Sequence, residues 1–189
     1  MPEWVSMVFG QVILAILTGL VSSAMFFFFL SRFRPQIEIS PEIARGISTK
    51  NGETTYVIKV INRTRDDITD INAQMHLFKC HQTATGKIWK SDEVVLKRST
   101  PICIDKFDKK DKNANYAYRF LTYENLDARW SDENTQFIRF RIIARHATSG
   151  FGGAFKRDYR IKQKTIVDGT FSKGNTFKIV LKQTQTDEQ

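Results

Sequence analysis

The chain has 189 residues, 41% hydrophobic, 26% charged and 12% aromatic, with a formal net charge of +9. Ten Gly, four Pro, two Cys and fifteen Phe exclude the collagenous, disulfide-rich and wholly disordered classes. The averages conceal a split: residues 1–30 hold no Lys or Arg and a single acid, Glu3, so residues 31–189 carry 29 basic against 19 acidic residues, a net +10.

Val5 to Leu30 runs 26 residues without a formal charge and ends in Phe26-Phe27-Phe28-Phe29-Leu30. A helix of that length reaches roughly 39 Å, enough to cross a hydrocarbon core of about 30 Å with tilt and too short to cross twice. It is predicted as a transmembrane helix over 5–30. A cleaved signal peptide fits poorly, because no basic residue precedes the apolar run and four Phe occupy the place of a small-residue cleavage site. Arg32 and Arg34 follow the span and no base precedes it. That bias orients residues 1–4 outside and the body inside, at the inner (plasma) membrane of the cell. In a reducing compartment Cys80 and Cys103 are expected to be free thiols. Gln11, Ala15, Gly19, Ser22 and Ser23 share one helical face. Small residues one turn apart let two helices approach closely, and a Gln gains by hydrogen bonding across such an interface, so a homo-oligomer is expected.

Beyond residue 31 the hydrophobic period becomes two. Ile37 and Ile39 begin it. Tyr56, Ile58 and Val60 alternate with Val57, Lys59 and Ile61, which predicts a strand buried on one side and partly on the other. Ile71, Ala73, Met75 and Leu77 continue the pattern, followed by Tyr116, Tyr118 and Phe120. In the clearest case Ile138, Phe140, Ile142 and Ala144 face in while Arg139, Arg141 and Arg145 face out. Phe155 to Ile161 and Thr176 to Leu181 supply two more strands. Turn signals separate them at Lys50-Asn51-Gly52, Arg65-Asp66-Asp67, Ser149 to Gly153 and Lys173-Gly174-Asn175. Residues 97–115 are expected to form an edge strand and a loop, Glu124 to Arg129 a helical turn, and residues 183–189 a disordered tail. Short alternating strands without long amphipathic helices point to an all-β body over 31–182, an antiparallel sandwich or barrel.

The helix ending in Ser31-Arg32-Phe33-Arg34-Pro35, followed by Ile37 to Ile43, Tyr56 to Asn62 and Ile68 to Leu77, resembles the inward-rectifier potassium channels where their last membrane helix meets the cytoplasmic domain. The segment Phe137 to Ala144, then Arg157-Asp158-Tyr159, Ile166, Gly169, Phe171 and Phe177, resembles the closing strands of that domain. The resemblance covers roughly 31–181. It implies an antiparallel immunoglobulin-like β-sandwich, a tendency to oligomerise and a basic surface beside the membrane. The family's second membrane helix and pore helix have no counterpart here. Thr148-Ser149-Gly150-Phe151-Gly152 fits the filter pattern T-x-G-[YF]-G, but it lies far beyond the only span and reads as a Gly-rich hairpin.

No catalytic set stands out, and the chain is not expected to be an enzyme or to carry a cofactor. His76, Cys80, His81 and Cys103 lack paired zinc-ligand spacing, so no metal is expected. The informative feature is charge. Arg32 and Arg34 next to the span, and Lys156, Arg157, Arg160, Lys162 and Lys164 in one segment, are the candidate sites for anionic phospholipid or phosphate, since each base near an anionic leaflet contributes about 1 kcal/mol of attraction. A nucleotide or other phosphorylated ligand is a second candidate partner. Nucleic acid is not expected, because the basic strand lacks interleaved stacking aromatics. The leading expectation is a membrane-anchored ligand- or lipid-binding regulatory module that oligomerises. The alternatives are a pore-forming or membrane-disrupting effector triggered by a soluble signal such as a nucleotide, and a structural accessory subunit of a membrane complex.

Overall fold

A computed structural model describes residues 3–48, 52–131 and 135–181. The tail expected to be disordered and the first two residues of the Lys50-Asn51-Gly52 turn lie outside the described residues. The chain falls into two compact units, Met1–Arg34 and Pro35–Gln189.

The first unit is the helix α1 (Glu3–Ser31). Its segment Met7–Leu30 is long and apolar enough to cross a membrane, and none of it is buried by protein. Large apolar side chains project on every side, so the helix offers no stripe that a water-soluble core would cover. The Thr18 hydroxyl donates to Leu14 O and Ala15 O, both at 3.0 Å, and so needs no partner outside the helix.

The second unit is mostly β. In chain order its elements are β1 (Ile37–Ile39), β2 (Ile43–Ile47), β3 (Thr54–Asn62), β4 (Ile68–Thr83), β5 (Gly86–Val94), β6 (Cys103–Ile104), β7 (Ala117–Thr122), α2 (Leu126–Arg129), β8 (Gln136–His146), β9 (Gly152–Tyr159), α3 (Lys162–Thr165), β10 (Ile166–Asp168), β11 (Thr170–Phe171) and β12 (Ile179–Val180). The first sheet is built on β3. It pairs β7 along one edge and, along the other, β1 and β2 in succession, with β10 outside β2. β1 and β2 are one edge broken at Ser40-Pro41-Glu42. The second sheet runs β5-β4-β8-β9, with β6 on the first residues of β4, and β11 and β12 form a separate pair. The expected hairpin at Thr148–Gly152 joins β8 to β9, with Gly150 at φ 71, a region that favours glycine.

The two main sheets share one core. Tyr56, Ile58 and Val60 of β3 and Phe120 of β7 belong to it, with Ala73, Met75 and Leu77 of β4 and Ile138, Phe140, Ile142 and Ala144 of β8. Phe120 and Phe140 meet across the layers with ring centroids 5.3 Å apart. The alternation read along Ile138–Ala144 is the observed one, with all four buried and Arg141 and Arg145 exposed.

An entirely antiparallel arrangement was expected, and one pair departs from it: β10 lies parallel to β2, Ile166 opposite Ile43. β9 ends in the second sheet and β10 lies in the first, so Arg160 to Thr165 cross between sheets rather than turning back as a hairpin. Three boundaries also differ. β5 was not foreseen, because its burial shows no alternation and its side chains are exposed from Lys87 to Glu93. The expected edge strand within 97–115 contracts to Cys103–Ile104, and the expected last strand to Ile179–Val180.

A polar network closes the end of the first sheet. Asp127 of α2 accepts from Arg45 Nη1 (2.7 Å) and from the Tyr56 hydroxyl (2.6 Å), while Arg45 grips Asp168 through Nε (2.6 Å) and Nη2 (2.8 Å). Burial would raise the Asp127 carboxyl, but the bonds from Tyr56 and Arg45 outweigh it and hold the group below the usual aspartate value of 3.8. Arg45 likewise holds Asp168 below that value. A carboxylate lowered in the folded state stabilises fully above its unfolded value and loses that contribution as pH falls through its folded one. The melting temperature is therefore expected to fall as pH drops below about 4. Asp127→Asn is expected to cost about 1.5–3 kcal/mol at pH 7 and to flatten the acid limb, as read by thermal unfolding across pH.

Candidate functional site

β9 and β1 close neighbouring edges of the two sheets and leave a groove between them. β9 alternates Phe155, Arg157 and Tyr159 with Ala154, Lys156 and Asp158, so one side turns toward the core and the other toward solvent. Tyr159 at its end is buried, and its hydroxyl donates to Ser40 O at 2.8 Å. Burial pushes that hydroxyl above the ordinary tyrosine range. Ser40 sits at the break between β1 and β2, where its Oγ donates to Glu42 O (2.7 Å) and accepts from Lys59 N (3.2 Å). The Tyr159–Ser40 bond thus fixes β9 against the first sheet.

The third wall comes from the C-terminal segment, which lies on the outer side of β3. Lys59 points to that side and is buried, and its ammonium donates to Ser172 O (2.9 Å), Gly174 O (2.7 Å) and Thr176 O (2.8 Å). Three donors meet three carbonyls, which is the full capacity of an ammonium. Arg119 Nη2 adds a bond to Phe171 O at 2.8 Å. Gly169 lets the segment start. Its φ is +132, and a Cβ there would meet Val180 O at 2.5 Å. The residue after the last clamped carbonyl is Phe177, which borders the groove.

The groove has a volume of about 630 Å³ and is bordered by Ile37, Ile39, Pro41, Phe155 and Phe177, with Glu38, Lys156 and Arg157 also on its lining. Glu38 is paired with Arg63 at 2.8 Å, so its charge is answered. Lys156 and Arg157 make no side-chain hydrogen bond or close ion pair among the described residues, and Lys156 acts on Asp158 only through Coulombic attraction. The result is an apolar floor with two cations that no carboxylate holds by a hydrogen bond. That combination suits an amphiphile whose head is an anion.

The other sequence-predicted bases are placed differently. Arg160 lies 5.3 Å above the Phe137 ring and 4.0 Å from Asp158. Lys162 is drawn inward, its Nζ donating to Asp127 O at 2.8 Å with Oδ1 3.6 Å away. Lys164 is exposed and without a side-chain partner among the described residues. Lys156 and Arg157 thus both border the groove, from opposite sides of β9, while Arg160 and Lys162 have contacts of their own. Arg32 and Arg34 are exposed in the first unit. Gln11, Ala15, Gly19, Ser22 and Ser23 are all exposed on α1, and a Cβ at Gly19 would meet nothing within 4 Å.

Sequence reading missed Lys59, which it placed in a strand without a role, and the groove wall at Phe177. It also missed aromatic neighbours of the basic strand. Phe137 on β8, Phe78 on β4 and Trp89 on β5 form a cluster beside Arg139. Cys80 and Cys103 are free, and among the described residues no group of three or more His, Cys, Asp or Glu is placed to hold a metal ion. Against protein-family models and against curated proteins the chain finds no match.

Proposed function

We propose that this chain is a single-pass membrane-anchored regulatory module, its N-terminus outside and its β domain at the cytoplasmic face of the inner membrane. In this reading the groove between β1 and β9 binds the phosphate-bearing head of an anionic lipid. The observation that carries it is the pairing of an apolar floor with the cations Lys156 and Arg157, neither held by a carboxylate through a hydrogen bond, on a chain that carries a membrane-length apolar helix. Arg32 and Arg34 add charge next to the span, where each base is worth about 1 kcal/mol toward an anionic leaflet. The shared two-sheet core supports taking the domain as immunoglobulin-like, as the likeness to inward-rectifier domains implies. The face Gln11, Ala15, Gly19, Ser22 and Ser23 serves helix–helix association, which makes the module a homo-oligomer.

The test is thermal unfolding of the full chain in nanodiscs of phosphatidylcholine alone and with a phosphatidylglycerol fraction. Anionic lipid is expected to raise the melting temperature by several degrees, since ligand at about 100 times its Kd adds roughly 2.7 kcal/mol. Lys156→Gln with Arg157→Gln is expected to abolish most of that rise at low salt. An equal rise in the double variant would remove the groove as the binding site.

A further inference from the structure

Apart from Lys156, which also lines the groove, the outward face of the second sheet carries side chains that the groove does not use. Cross-strand register sets them in rows: Ser91, Phe78 and Phe137; then Glu93, His76, Arg139 and Asp158; then Gln74, Arg141 and Lys156. Phe78 and Phe137 stack with centroids 4.9 Å apart, and Trp89 stands edge-on to Phe137 at 5.2 Å. The Arg139 guanidinium lies over both rings, at 5.1 Å and 5.3 Å. Asp158 grips it through two bonds of 2.7 and 2.8 Å, so its plane is fixed and its charge is answered. Arg141, one row on, is exposed and has no carboxylate partner among the described residues. Gln74, His76, Phe78, Ser91, Arg139 and Arg141 line an open pocket of about 260 Å³.

Each part of this pocket has a preferred counterpart. Aromatic rings and fixed guanidinium planes are the surfaces on which nucleobases stack. An unpaired arginine, Arg141, recognises phosphate. The Gln74 amide and the Ser91 hydroxyl offer neutral donors and acceptors suited to the edge of a heterocycle, with the His76 ring beside them. The volume, just below the usual range of ligand-sized clefts, is matched to one such unit rather than a continuing chain. We propose that this pocket is a nucleotide site, with a base stacked on Phe78 and Arg139 and a phosphate held by Arg141. The proposal does not depend on lipid binding in the groove.

Equilibrium dialysis of the full chain in phosphatidylcholine nanodiscs tests it, with AMP, GMP, CMP and UMP each as probe and ribose 5-phosphate as the control lacking a base. At least one nucleoside monophosphate is expected to bind about tenfold or more tightly than ribose 5-phosphate, the gain from stacking one base. Arg141→Gln is expected to weaken nucleotide binding by about tenfold. Phe78→Leu, which keeps apolar volume, is expected to bring nucleotide affinity down to that of ribose 5-phosphate, with unfolding curves confirming that both variants fold. Arg157→Gln, in the groove, is expected to leave nucleotide binding unchanged while lowering the response to anionic lipid. The proposal is overturned by no nucleotide binding at millimolar probe, by equal affinity for ribose 5-phosphate, or by unchanged affinity in folded Arg141→Gln. A single-stranded oligonucleotide that binds far more tightly than any monophosphate would overturn the single-unit site in favour of a nucleic-acid surface.

Discussion

Replacing Lys59 with Met is expected to lower the unfolding free energy by about 2–4 kcal/mol and to open the segment from Ser172 to Thr176 to proteolysis. The reason is an imbalance between what is removed and what remains. Met fills much of the same space and spares the cost of burying a charge, but it leaves the carbonyls of Ser172, Gly174 and Thr176 without their donor. Each orphaned carbonyl costs about 1–3 kcal/mol unless the segment lifts away to meet water. Lifting exposes Ile61 and Tyr116, which pack with Phe177, and this sets a limit on the relief. Lys59→Arg is expected to restore little, because a planar fork cannot present three donors to carbonyls arranged around an ammonium. The pH dependence has a definite sign. Burial, helped by Arg119 and Arg63, pushes the ammonium from 10.5 down to about 8. Below about 8 folded and unfolded chains both hold the proton, and above 10.5 neither does. Between them only the unfolded chain holds it, so this group makes stability rise with pH across that window. Denaturant titrations at pH 7 and 9.5 check the slope, and Lys59→Met is expected to remove it.

Leu17→Arg combined with Leu20→Arg is expected to abolish stable membrane integration. Both residues sit near the middle of the apolar span and outside the face of Gln11, Ala15 and Gly19, so the change acts on insertion rather than on that face. An arginine at a helix centre costs about 2.5–3.5 kcal/mol to insert, and two cost about 5–7 kcal/mol. That shifts the partition by roughly four orders of magnitude. Carbonate extraction of membranes reads the result: the wild type is expected in the pellet and the double variant in the supernatant, with Leu17→Ile and Leu20→Ile remaining in the pellet. A double variant that stays resistant to extraction would mean that the helix is not what holds the chain.

The apolar helix was the most legible feature of the sequence, because 26 uncharged residues leave no alternative face to weigh. β3, β4 and β8 were legible for a related reason. Each has one fully buried side, so period two is written in Ile, Val, Phe and Met. β5 was not, because it borders β4 alone and turns Lys87 to Glu93 to solvent on both sides, which leaves no burial to impose a pattern. The three residues of β10 are too few to show a period, and their partner β2 lies more than a hundred positions earlier, beyond any local signal. The groove was half legible. Lys156 and Arg157 were marked by charge, but their neighbours Ile37, Ile39 and Phe177 lie more than a hundred positions before them or twenty after, and only the meeting of sheet edges unites them. Lys59 carried one faint signal, a lone base inside the run Val57 to Ile61. A base there needs either water or a cage, and the cage is supplied from residues 172–176. Lys162 illustrates the opposite error. Charge density placed it with the surface cluster, while an acid 35 residues away draws it inward.

The most direct measurement is photocrosslinking of the full-length protein in membranes containing a phosphatidylglycerol that bears a photoreactive group near its head. Adducts mapped by mass spectrometry are expected on Phe155, Phe177 and Ile39 in addition to the span, and to disappear from these three in Lys156→Gln with Arg157→Gln. Adducts confined to α1 and to Arg32 and Arg34 in the wild type would contradict the account, since the helix would then meet lipid while the groove between β1 and β9 did not.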